Sequence, residues 1–334
     1  MNEKSRNILA GIGLTACALT GSAIAYANLV KKQSLSSLTV NRFIERQGLK
    51  ELTDEMTQEK EEVYEKLILK NRQMVKHPFA AIFKNVEEYL YQGIQVFQWN
   101  DQGDEDQLVI FYLHGGGYIW QPNDYQFLSV DRIAQSCNAK VIMPVYPKAP
   151  EYNYKDAFPV LLHLYQELLE SHDSRSIHFI GDSAGGGLAL ALAYYIEGEN
   201  LPQPADLILL SPWLDLTNSH PDIEKANELE AFFGLDGLNI AAQSWAGDAE
   251  DLEHIYTSPK YGDPRKLTSA ISIFTGTHET FYYDIRDFIE KLDDYDIPHF
   301  LEVGQGQLHV YPFFPTLEGK QARDKIAHII NSNG

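Results

Sequence analysis

The sequence predicts an α/β fold: a mainly parallel sheet with helices on both faces. Three observations predict it. From about Gly93 onward, short β-rich runs alternate with longer helical stretches, the grammar of strand–helix–strand units. Several of those runs are apolar without a break, Leu207-Ile208-Leu209-Leu210 among them, as expected of strands covered on both faces. And at residues 177–198 a strand-like run passes through a glycine-bounded turn straight into a helical one. The strands expected in order are Ile94–Trp99, Leu108–Leu113, Lys140–Val145, Ile177–Ile180, Leu207–Leu210, Ile271–Phe274 and His299–Val303.

Ahead of the sheet, residues 33–90 are polar and read mostly as helix. Leu52, Met56, Val63, Leu67 and Met74 recur at helical or heptad-like spacing among Glu and Lys, so amphipathic helices should lie there against another surface. Between Thr217 and Tyr256 the alternation is interrupted by a polar, helix-prone insertion. Loops at the carboxyl ends of parallel strands form the ligand crevice of such sheets, so an insertion there is placed to roof a site.

The 334 residues are 44% hydrophobic and 22% charged, with a formal net charge of -20. That composition supports a buried core, and the acidity, which serves solubility, repels nucleic acid and anionic lipid headgroups. Only Cys17 and Cys137 are present, so no disulfide framework is expected. Neither HExxH nor CxxC occurs, and no metal or organic cofactor is expected.

At the N-terminus, Ile8 to Val30 carry no charge and are bracketed by Lys4/Arg6 and Lys31-Lys32. As a helix the run would be roughly 34 Å long, enough to cross a hydrocarbon core. An uncleaved signal anchor is the favoured reading, with the body outside the cytoplasm. Ala25-Tyr26-Ala27 keeps a cleaved secretory peptide open, and Leu14-Thr15-Ala16-Cys17 a lipoprotein with lipid on Cys17.

The chemistry concentrates in two glycine-rich turns. Gly181-Asp182-Ser183-Ala184-Gly185 follows the run Ile177–Ile180 and precedes the helical Leu188–Ile196. That context is what a GxSxG nucleophile elbow needs: glycines for the tight turn, and a serine hydroxyl at a helix N-terminus. His114-Gly115-Gly116-Gly117 follows the strand Leu108–Leu113. Its glycines allow backbone N–H groups to face a cavity, so Gly115 and Gly116 with Ala184 are expected to hold an oxyanion.

HGGG followed by GDSAGG resembles the hormone-sensitive-lipase-like family of microbial carboxylesterases, within the α/β-hydrolase fold. Tyr146-Pro147-Lys148-Ala149-Pro150-Glu151, Leu210-Ser211-Pro212-Trp213 and Tyr256-Thr257-Ser258-Pro259 are similar to further stretches of that family, over about residues 75–330. The resemblance implies a helical cap, which suits residues 33–90, and a triad in the order Ser, acid, His. Ser183 would be the nucleophile. Glu279 stands where the family usually has Asp, and Asp284 is its rival; the simpler reading of Asp284 and Asp287 is helix first-turn charge. His309 follows the last strand, on a loop expected over Gly304–Leu308, and Val310-Tyr311 replace the family's Gly-Phe. His114 is expected to steady its loop, and His278 to be a loop residue beside Glu279.

The organisation implied is a membrane anchor or signal segment at 1–32, a cap or linker at 33–90, and an α/β-hydrolase domain at 91–334 with a cap insertion near 217–256. The expected partner is a small-molecule ester with a short acyl chain; Trp120, Trp213, Phe281 and Tyr282 are candidates to line its pocket. An amide or peptide hydrolase on the same fold, and a tethered non-enzymatic relative, are the alternatives.

Overall fold

A computed structural model describes residues 24–50, 53, 60–79, 83, 85–104 and 106–333. Its strands are β1 (Glu87–Tyr91), β2 (Ile94–Trp99), β3 (Val109–Leu113), β4 (Lys140–Val145), β5 (Ile177–Asp182), β6 (Asp206–Leu210), β7 (Ala270–His278) and β8 (His299–Leu308). They join in the order β1-β2-β4-β3-β5-β6-β7-β8. β2 runs antiparallel to both β1 and β4, and every other pairing is parallel. The helices are α1 (Leu35–Glu45), α2 (Lys60–Asn71), α3 (Asp124–Cys137), α4 (Tyr154–Ser171), α5 (Ala184–Gly198), α6 (Ile223–Glu228), α7 (Leu235–Ala246), α8 (Tyr282–Asp294) and α9 (Leu317–Asn333).

Alternation along the strands decides which residues meet which helices. In β3, Val109, Phe111 and Leu113 belong to the core on the face that α4, α5 and α8 cover, while Ile110 and Tyr112 belong to the core on the other face, with α3 and α9. All five are buried, which is why the run is apolar throughout. Each such side chain contributes about 1.5–3 kcal/mol of transfer free energy.

The structure corrects the expected boundaries in two places. β1 lies inside the stretch read as helical. Its residues are mostly exposed or half-buried and carry no buried face for the sequence to reveal. The hairpin to β2 turns on Gln92 and Gly93, at φ 47° and 88°, a pair of positive values that suits the twist of the flanking strands. β7 and β8 also run on to His278 and Leu308, past the glycines taken as strand ends. Gly304–Leu308 are therefore strand, not loop, paired to Gly276 and His278 across a register shift.

The N-terminal segment is fastened onto this end of the sheet. Gln33 Nε2 and Asn41 Nδ2 both donate to Gly306 O, at 2.8 and 2.9 Å. Ser34 Oγ and Ser37 Oγ each donate to Glu318 Oε2 at 2.6 Å. The apolar run Ile8–Val30 lies largely outside the described residues, as do Cys17 and the lipoprotein-like stretch around it. Among the described residues no helix is long and apolar enough to cross a membrane.

Candidate active site

β5 delivers Ser183 to the carboxyl end of the sheet with φ 56° and ψ −124°, a strained conformation for a residue with a side chain. The neighbours hold it there. Ser183 N–H donates to Leu210 O at 2.8 Å, and Ser183 O accepts from Trp213 N–H at 3.0 Å. Gly185 packs against Leu113 O so closely that a Cβ would collide with it. Ser183 heads α5, where unpaired helix N–H groups and the helix dipole favour negative charge.

Glu279 and His309 follow β7 and β8, neighbours in the sheet. His309 Nδ1 lies 2.7 Å from Glu279 Oε2, with both residues buried. A carboxylate has no hydrogen to give, so Nδ1 carries the proton and Nε2 is left with its lone pair. Glu279 Oε1 accepts from Gly276 N–H at 3.0 Å and from the Thr275 hydroxyl. Burial works against a charged imidazole. The Glu279 hydrogen bond and the charges of Glu279, Glu230 and Asp182 outweigh it, and the His309 pKa is raised above 6.5. Nε2 has no partner among the described residues, and His309 and Ser183 line the same cleft of about 620 Å³.

Asp284 is placed elsewhere. Its carboxylate is 2.7 Å from Lys260 Nζ, which is also 2.5 Å from Asp215, so it belongs to a buried ion cluster tying α8 to the loop after β6. His114 is buried, stacked on Tyr146, with Nδ1 2.7 Å from Gly115 O; burial pushes its pKa down to about 3. His278 is the last residue of β7 and half-buried.

The glycine loop differs from expectation at Gly115. Its N–H donates to Asp182 Oδ1 at 2.8 Å and is not free for an oxyanion. A Cβ at Gly115 would run into the same carboxylate, so this glycine serves close approach. The N–H groups of Gly116 and Gly117 have no partner among the described residues, and both glycines line the cleft. Asp182 went unnoticed in the sequence. It also accepts from Tyr112 Oη at 2.5 Å and from Gln126 Nε2 at 2.9 Å, so it binds the glycine loop to the strand that carries Ser183. A carboxylate at the buried end of a strand was the available signal.

Val40, Phe43 and Ile44 of α1, and Phe232, Phe233 and Leu238 of the 217–256 insertion, wall the cleft from above. Of the four aromatics expected, Trp120 and Trp213 line it. Phe281 sits behind, stacked on Trp213 and edge-on to His309, and Tyr282 opens α8 without reaching the cleft.

Residues 110–313 match the family described as alpha/beta hydrolase fold. An esterase of Acinetobacter venetianus is 28% identical over 244 residues, 72% of this chain and 80% of that protein. An acetyl-hydrolase of Streptomyces hygroscopicus is 27% identical over 229 residues, 67% of this chain and 76% of its own length. The crystal structure of an esterase/lipase from an uncultured bacterium superposes with a TM-score of 0.70 at 27% identity, covering 81% of this chain and 90% of that one. The chain belongs to the α/β-hydrolase fold family, and its class is that of the carboxylic ester hydrolases.

Proposed function

We propose that this protein hydrolyses short-chain, acetyl-like esters through an acyl-enzyme, with Ser183 as nucleophile, His309 as base and Glu279 as the acid that orients it. The observation that carries this reading is the 2.7 Å pair His309–Glu279 with Nε2 unpartnered in the cleft that Ser183 also lines. Ser183 Oγ attacks the ester carbonyl as its proton passes to Nε2, and the tetrahedral oxyanion is held by backbone N–H groups of Gly116, Gly117 and Ala184. Collapse expels the alcohol, which takes the proton from Nε2. Water, deprotonated by the same nitrogen, then frees the acid and Ser183. Glu279 stays ionised throughout, holding the Nδ1 tautomer and stabilising the imidazolium.

The acetyl-hydrolase among the relatives supports a small acyl group. The cleft is roomier than an acetyl group needs, which suits a bulkier alcohol on the other side of the ester. The test is hydrolysis of p-nitrophenyl acetate, butyrate and octanoate by the full chain and by Ser183→Ala. Turnover falling from acetate to octanoate, and lost in the variant by about 10⁴-fold or more, is expected. Activity that survives Ser183→Ala overturns the mechanism, and a preference for octanoate overturns the acyl length.

From the apolar run Ile8–Val30 we also propose a tether at 1–32 that holds the body, the helices ahead of β1 included, outside the cytoplasm. Membrane fractionation with an intact mass tests it: a soluble protein, a cleaved N-terminus, or lipid on Cys17 would each replace the anchor.

A further inference from the structure

Glu230 is a carboxylate that the reaction as drawn leaves unused. It lies in the turn between α6 and α7 and is 5% exposed. Its Oε1 accepts from Ala231 and Phe232 N–H, both at 2.8 Å, and its Oε2 accepts from Thr280 N–H at 3.1 Å. Thr280 is the residue after Glu279. Its hydroxyl also receives Asn227 Nδ2 at 2.8 Å, and the same amide nitrogen reaches Phe233 O at 3.0 Å. The roof loop 227–233 is thus bonded twice to the residue beside the acid. What it presents to the imidazole are rings: Phe233 edge-on at 4.9 Å between centroids, and Phe232 at 6.3 Å.

Three N–H donors favour the ionised carboxylate, yet burying an anion is costly unless positive charge faces it. Among the described residues no Lys or Arg side chain bonds Glu230. Burial raises its carboxyl pKa and the charge of Glu279 adds to that; the positive charge of His309 and the Phe232 and Thr280 N–H donors oppose the rise without cancelling it. The charged groups facing His309 are therefore Glu279 from the end of β7, Asp182 from β5 and Glu230 from the roof.

Resting on the roles given above to Ser183, His309 and Glu279, we propose that Glu230 is a positioning residue that couples the roof to the base. It keeps Thr280 and the two phenylalanines in register with His309, and in its ionised form, which a charged imidazolium favours, it places a second negative charge near the ring at each proton transfer. A roof out of place would remove both effects together, so the base reaches full strength only beneath a seated roof.

The test is the pH dependence of kcat and kcat/KM for p-nitrophenyl acetate in the full chain. Glu230→Gln keeps the shape and removes the charge. It should move the acid limb of kcat/KM down by about half a pH unit and lower kcat about three- to tenfold, with KM little changed. Glu230→Asp, which keeps the charge, should return the limb most of the way. An unmoved limb and an unmoved kcat in a Glu230→Gln protein that melts like the parent overturn the proposal. If that variant does not fold, Glu230→Asp decides, because the shorter side chain draws the carboxylate back from Thr280 N–H and leaves the charge. Lower kcat with the limb in place supports the coupling, and unchanged kcat overturns it. Should the parent itself lack a Ser183-dependent rate, the reading beneath fails instead, which sets the two failures apart.

Discussion

The sheet carries two buried histidine–carboxylate pairs, one at each end. At the carboxyl ends of the strands, His309 Nδ1 meets Glu279 at 2.7 Å. At the amino ends, His178 Nδ1 meets Asp206 at 2.6 Å, the two residues being register partners in β5 and β6. Judged by contact alone the pairs are equivalent, and in both the second ring nitrogen has no partner among the described residues. Their surroundings differ. His178 and Asp206 are 0% exposed, and the second oxygen of Asp206 accepts from Asn333 at the end of α9. His309 opens on the cleft that Ser183 lines. A histidine–carboxylate pair becomes chemistry only where strand ends leave a crevice and a nucleophile stands in it; otherwise it is a buried polar clamp.

That contrast can be broken by substitution, beginning with the largest expected change in rate. Glu279→Gln should lower kcat about 10³-fold or more by freeing the ring to adopt the wrong tautomer, whereas Asp284→Asn should leave the rate near the parent's and reduce the melting temperature. Equal losses in steady-state assays of the two variants would undo the separation between acid and ion cluster. Gly115→Ala should cost about 10- to 100-fold in kcat, since its methyl group displaces Asp182 and with it the glycine loop. A burst assay that found acylation untouched would count against this.

The mechanism proposed for His309 makes the neutral imidazole the active form, and its pKa is raised, so the acid limb of kcat/KM should lie above pH 6.5. The stability contributed by that shift runs the other way. It is fully present below the unfolded value and fades as pH rises through the folded one, so melting temperature and rate should diverge across that window. Smallest in rate is His178→Ala. It should leave kcat per folded molecule unchanged while destabilising the fold by about 3 kcal/mol, because Asp206 loses its buried partner. A selective loss of kcat there would mean the two ends are not independent.

How far the sequence reveals this arrangement depends on what each residue buries. Strands covered on both faces, such as β3 and β6, announce themselves as unbroken apolar runs. β1 does not, because it buries no face, and the glycines at 276, 304 and 306 disguise the continuation of β7 and β8. Motif order brings Ser183, Glu279 and His309 forward, and the fold draws their three loops to one cleft. It does not say that the Gly115 N–H is already taken, since that depends on where the Asp182 side chain turns. Glu230 is least visible of all: within a polar insertion it reads as one more solvated charge, and only the return of the chain over Thr280 makes it a buried one.

The fastening of α1 has a mechanical consequence. A pull on the chain ahead of Gln33 does not reach the sheet through a strand. It enters at Gly306 O, where Gln33 and Asn41 both bond, and at Glu318, which Ser34 and Ser37 hold. Gly306 is three residues from His309, and the same α1 helix supplies Val40, Phe43 and Ile44 to the cleft wall. Tension on the leading segment would therefore load the cleft wall and the end of β8 that leads to His309.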